Sequence, residues 1–134
     1  MSAPPKRATV DDLMRHDGKA ELIDGRIVEI MAVGRGPHKI ALRITVALMQ
    51  YARTVGLGEG YGDAIGFEVP ELSSGRETFS PDASYYVGPF PEDDFDLIPG
   101  PPTFAVEVRS KNDYGATAEV QMADKREDYF EAGT

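Results

Sequence analysis

The chain has 134 residues, 41% of them apolar, with 14 basic and 23 acidic side chains and a formal net charge of −9. That is about one domain's length, enough to bury a core, and too apolar for a charge-rich disordered chain. The negative balance argues against nucleic-acid binding through a broad basic surface, and the absence of cysteine excludes disulfide frameworks, thiolate zinc sites and cysteine nucleophiles.

A cysteine-free chain suits a reducing, cytoplasmic setting. No apolar run is long enough to cross a membrane, and the basic start Lys6-Arg7 has no apolar stretch behind it to make a secretory signal. Residues 1–8 are expected to be a disordered lead-in and residues 9–134 a single domain. Thr9 then predicts a helix N-terminus, with Asp11 and Asp12 favoured by the dipole of a short helix over 10–16 that Gly18 ends. Asp24-Gly25 between Glu21-Leu22-Ile23 and Arg26–Met31 predicts a hairpin with a two-residue type I′ turn.

Pro37 suits the first turn of a long helix over 38–55, with Ile40, Ile44, Ala47, Leu48, Tyr51 and Val55 as its apolar face and Gly56 as its stop. The glycines at 56, 58, 60 and 62 fail the dinucleotide-binding pattern, since Tyr61 stands where its third glycine belongs, and read as a loop leading to a strand. Strands are expected over 64–70 and 79–87, with a polar turn at 72–77 and an acidic loop over 88–102. Thr103–Arg109 is the most apolar segment and is expected to be a central strand buried on both faces. A second long helix spans 116–132. The order predicts an α/β or α+β domain with a mixed sheet flanked by helices.

His16 and His38 form no metal-ligand pair, and there is no nucleophile elbow around a serine. Glu107 is conspicuous because it interrupts the run Phe104-Ala-Val-Glu-Val, where an unpaired carboxylate costs several kcal/mol. It is expected to be either functional or, at a strand end, solvated or paired with Arg109. Asp82 follows Pro81 at the start of a strand, and Lys125 shares a helix face with Gln121. Two carboxylates from adjacent strands with a lysine over them make a hard oxygen site for Mg²⁺, polarising a phosphodiester and activating water.

Pro81-Asp82 followed by Glu107 in an apolar strand resembles the PD-(D/E)xK nuclease signature. The segments Glu21-Leu-Ile-Asp-Gly25, His38 at a helix start, Ser80-Pro81-Asp82, Pro102–Ser110 and Lys125–Gly133 together resemble the Uma2 (DUF820) family of restriction-endonuclease-like proteins, over residues 10–134. The resemblance implies a restriction-endonuclease-like core, with Asp82 and Glu107 as ligands of Mg²⁺ (or Mn²⁺). The superfamily's lysine position is Arg109 here, so Lys125 takes the lysine's role, with Lys111 a weaker choice, and Glu21 is an auxiliary carboxylate. The family continues with further strands beyond Thr134, so the domain is expected to be cut short at its C-terminus, which leaves a sheet edge open to pairing.

The expected function is Mg²⁺-dependent endonucleolytic hydrolysis of DNA. The second reading is a catalytically silent domain of the same fold that binds nucleic acid or a protein partner, and the third an acidic interaction protein with no site. A homodimer would suit the two strands of a duplex. The charge excess lies wholly in residues 68–134, four of its acids falling within 92–96. Residues 1–67 are slightly basic, and Arg35, Lys39 and Arg43 recur every four residues. Lys39, Arg43, Arg109 and Gln121 are therefore the candidate substrate contacts, and DNA affinity is expected to be weak and salt-sensitive.

Overall fold

In the computed structural model, which describes residues 6–134, three helices surround three small sheets. Of the lead-in, residues 1–5 lie outside the described residues, while Ala8 donates its N–H to the Gly25 carbonyl at 2.7 Å. The elements are α1 (Val10–Met14), β1 (Ala20–Ile23), β2 (Arg26–Glu29), α2 (Arg35–Val55), β3 (Glu59–Tyr61), β4 (Phe67–Glu68), β5 (Thr78–Phe79), β6 (Ala83–Tyr86), β7 (Ile98–Pro99), β8 (Phe104–Val106) and α3 (Ala116–Ala132).

Local chemistry explains the outer elements. Thr9 and Asp12 form a reciprocal capping box at the start of α1. Asp24 and Gly25 both take positive φ, 51° and 69°, as a type I′ turn requires, and join β1 to β2. Gly56 closes α2 in the left-handed conformation. The expected helix over 116–132 coincides with α3.

The strands differ more from expectation. They form a β1-β2 hairpin, an antiparallel sheet in the order β3-β6-β8, and a sheet in the order β5-β4-β7 whose β4–β7 pair is parallel. The 79–87 segment breaks at Ser80-Pro81-Asp82 into β5 and β6, the 64–70 segment keeps only β4, and the 88–102 loop contains β7. The central strand of its sheet is β6, all four residues of which are buried. The apolar 103–109 segment contributes only β8, an edge strand whose Phe104 is 51% exposed, which corrects the expectation of a doubly buried central strand. Hydrophobicity recorded the segment's capacity for burial, not what covers it.

The long helix also turns differently. Its sheet-facing residues are Ala41, Ile44, Thr45, Leu48 and Ala52, while Ile40, Tyr51 and Val55 are about half exposed. Leu42, Val46 and Met49 are exposed as well, so α2 carries apolar residues on several faces and periodicity alone could not select the packed one. Gly60 fixes the packing distance. A Cβ there would lie 2.7 Å from the Met49 nitrogen and 2.8 Å from the Leu48 carbonyl carbon, both backbone atoms. Gly60→Ala is therefore expected to cost about 1–3 kcal/mol through overpacking. A thermal melt checks this, and an unchanged midpoint would show that α2 is free to shift.

The core is formed by Phe67, Val69, Leu72, Phe79, Tyr86, Ile98 and Tyr129. Tyr129 of α3 stacks on Phe79 of β5, with centroids 4.1 Å apart and planes at 16°. That stack seats α3 against β5, with Tyr129 within reach of Glu107 just past the end of β8.

Candidate active site

Four segments converge on one cavity of about 530 Å³, which Glu21, Asp82, Glu107, Gln121, Lys125 and Tyr129 help to line. The β6–β8 register sets Ala83 opposite Val106, so Asp82 and Glu107 leave the sheet at the same end. Asp82 donates its N–H to the Val106 carbonyl at 3.0 Å and accepts at Oδ2 from the Val108 N–H at 2.7 Å. Pro81 beside it is fully buried. The aspartate is thus fixed by its own backbone, by β8 and by its side chain.

Glu21 comes from the hairpin. Leu22 donates its N–H to Thr78 Oγ1 at 2.8 Å and accepts at its carbonyl from Glu77, which docks β1 on β5 and turns Glu21 inward. Glu21 is 4% exposed and accepts from Arg76 Nη1 at 3.0 Å, the Ser80 N–H at 2.7 Å and Lys125 Nζ at 3.0 Å. Burial pushes its pKa up, but Lys125, Arg76 and the Ser80 N–H more than offset this and hold it below the usual carboxylate range.

Lys125 is the hinge of the site. Its Nζ lies 3.0 Å from Glu21 Oε2 and 2.8 Å from Glu107 Oε1. Tyr129, one helical turn on, donates its hydroxyl to the same Glu107 Oε1 at 2.7 Å. Among the described residues both contacts fall on Oε1, which leaves Oε2 for another partner. Burial raises the Glu107 pKa, Lys125 only partly opposes it, and Glu21 adds to the rise. The alternative pairing with Arg109 is absent. Arg109 instead bonds to Glu119 and to the Asp113 carbonyl.

Sequence reasoning missed the residues that hold these groups in place. Arg76, 5% exposed, donates to Glu21 and, through Nε, to Asp128 Oδ2 at 2.9 Å. It lies in the expected polar turn, and nothing local marks a partner 55 residues away in sequence. Tyr129 has no site role on sequence grounds, although its four-residue spacing from Lys125 is a signal that the two share a helix face. Lys19 was also missed. It donates to Asp82 Oδ1 at 3.1 Å and pairs with Asp63. Burial disfavours its charge, but Asp63 and Asp82 outweigh that and place its pKa above the ordinary lysine range. Its separation of two from Glu21, the strand period, was the available clue.

The other candidates lie elsewhere. Lys39 and Arg43 are exposed on α2, and neither they nor Arg109 nor Lys111 line the cavity.

The donor chemistry suits a hard divalent cation. Around the site Glu21, Asp63, Asp82, Glu107 and Asp128 face Lys19, Arg76 and Lys125, an excess of two negative charges when all are ionised. Among the described residues no three His, Asp or Glu side chains are grouped closely enough to hold an ion by themselves. Two carboxylates with water and phosphate completing the shell is the usual arrangement for Mg²⁺.

Among the described residues no helix is long and apolar enough to cross a membrane. No curated protein matches the chain. The family model for Uma2, described as "Putative restriction endonuclease", matches residues 8–134. With an α+β fold and the family's match running over nearly the whole chain, the protein belongs to the Uma2 family of restriction-endonuclease-like proteins.

Proposed function

We propose that the chain is a Mg²⁺-dependent endonuclease that hydrolyses DNA phosphodiester bonds. The observation that carries this reading is the position of Lys125 Nζ, within 3.0 Å of both Glu21 and Glu107, in the cavity that Asp82 also lines. Asp82 and Glu107 would hold the ion, with Mn²⁺ as a substitute. When bound, such an ion polarises the phosphoryl oxygens and acidifies coordinated water.

The chain's own residues do the rest. The Lys125 ammonium orients the attacking water and offsets the negative charge that develops on the phosphoryl group. Glu21 fixes that ammonium and is itself kept ionised by Arg76. Tyr129 fixes Glu107 Oε1. Lys39 and Arg43, with Arg35, are exposed cations on α2, outside the cavity lining, that would contact phosphates, and Gln121 lies at the cavity wall. With so few cations against a net charge of −9, binding is weak and is weakened further by salt.

The test is cleavage of duplex DNA in Mg²⁺ or EDTA by the wild type and by Asp82→Ala. Cleavage by the wild type in Mg²⁺ alone is the expected result. Equal background in all four reactions would sink the endonuclease, and DNA binding without cleavage would favour the silent domain.

A further inference from the structure

Both carboxylate oxygens of Asp82 are engaged. Oδ2 accepts from the Val108 N–H, and Oδ1 accepts from Lys19 Nζ at 3.1 Å. The Lys19 side chain is only 12% exposed, whereas Asp63, its other partner, is 63% exposed. The ammonium is therefore shared between an inner carboxylate at the cavity and an outer one at the surface. Asp82 and Asp63 also face a second, smaller cavity of about 70 Å³ beside α2, so Asp82 lies between the two spaces. Lys19 itself is tied down at its backbone, where its carbonyl accepts from the Ile30 N–H at 3.0 Å. Only its flexible four-carbon stem has to move for the ammonium to change partner.

We propose that Lys19 is a latch on the metal site: it balances the charge of Asp82 until a divalent cation takes Oδ1, and Asp63 then receives the displaced ammonium. The inference rests on the reading of Asp82 as a metal ligand. It assigns Lys19 and Asp63 as positioning residues that set metal affinity without touching the reacting phosphate. An unshared carboxylate in this half-buried place would be costly before the ion arrives, and the latch removes that cost while lowering affinity for the ion.

Mn²⁺ binding, followed by the electron paramagnetic resonance of free Mn²⁺, tests the assignment without reference to cleavage. Lys19→Met is expected to bind Mn²⁺ about tenfold more tightly than wild type, or about 1.4 kcal/mol. Asp63→Asn is expected to bind it about threefold more weakly, because Lys19 then stays on Asp82. The double variant decides between a latch and a simple change in net charge. With a latch, Asp63→Asn has almost no effect once Lys19 is gone. If the two effects add, or if all four chains bind equally, the latch is overturned while the metal site stands. If none of the four binds Mn²⁺, the metal reading of Asp82 falls and the latch falls with it. Should Lys19→Met fail to fold, Lys19→Gln takes its place in the same cycle, and the latch stands only if Asp63→Asn weakens binding with Lys19 present and not without it. Unchanged binding in Asp63→Asn alone overturns it.

Discussion

Replacing Lys125 with methionine is expected to slow Mg²⁺-dependent cleavage by about 10²–10³-fold, the usual cost of deleting one preorganised charge at a developing oxyanion. Methionine keeps the unbranched stem and the helix propensity, so α3 should stay seated through Tyr129 and Phe79. The loss should fall on kcat with little change in KM, since the ammonium acts on charge that appears only in the transition state. Lys125→Arg is expected to recover only part of the rate, because a planar fork cannot occupy the point between Glu21 and Glu107 that a compact ammonium fills. Glu107→Ala removes a carboxylate proposed to hold the ion and should bring cleavage to the background level. Single-turnover kinetics on a short duplex measure all three. A Lys125→Met rate within threefold of wild type would remove this lysine from the mechanism.

How much of this was legible follows from the kind of signal each residue leaves. Glu107 stands out because it is a charge inside an apolar strand, whereas Asp82 is marked only by Pro81 before it at the start of a strand. Lys125 gains its meaning only in combination with the two carboxylates, and Glu21 needs the ordered set of family segments, since neither is unusual in its own neighbourhood. The hairpin was readable because Asp24-Gly25 satisfies a local backbone requirement. The site's support was not readable. Arg76 gains its meaning only when β5 brings it beside Glu21 and α3 brings Asp128 to its other side. The strands misled for a related reason. An apolar run such as 103–109 reports that burial is favourable, but its place at a sheet edge is decided by pairing with β6 alone. On α2, apolar residues on several faces left the packed side undetermined until Gly60 admitted the backbone of Leu48 and Met49.

Glu21→Gln is expected to destabilise the fold by about 3 kcal/mol at neutral pH, as for removal of one member of a buried ion network. For a chain of this length that is roughly a 10 °C fall in Tm. Arg76 keeps Asp128, and Lys125 keeps Glu107, but each loses a charge-assisted bond and Arg76 is left in the interior with half its compensation. The folded Glu21 has a lowered pKa, so its contribution is fully present above the unfolded carboxylate's value near 4.3 and is lost as pH falls through the folded one. The gap in Tm between wild type and Glu21→Gln should therefore close as the pH drops below about 4. Glu107 has the opposite sign. Its raised pKa means that the folded state favours the proton, so stability is lost as pH rises from the unfolded value through the folded one. Glu107→Gln, which still accepts from Tyr129, should leave neutral-pH stability unchanged or higher. One site then holds a buried glutamate and a half-buried one with contrary effects, one that builds the fold and one held at a cost that its proposed role as a cation ligand accounts for. Thermal melts of the three chains across pH 3–8 measure the contrast, and equal losses at neutral pH for the two glutamine variants would overturn it.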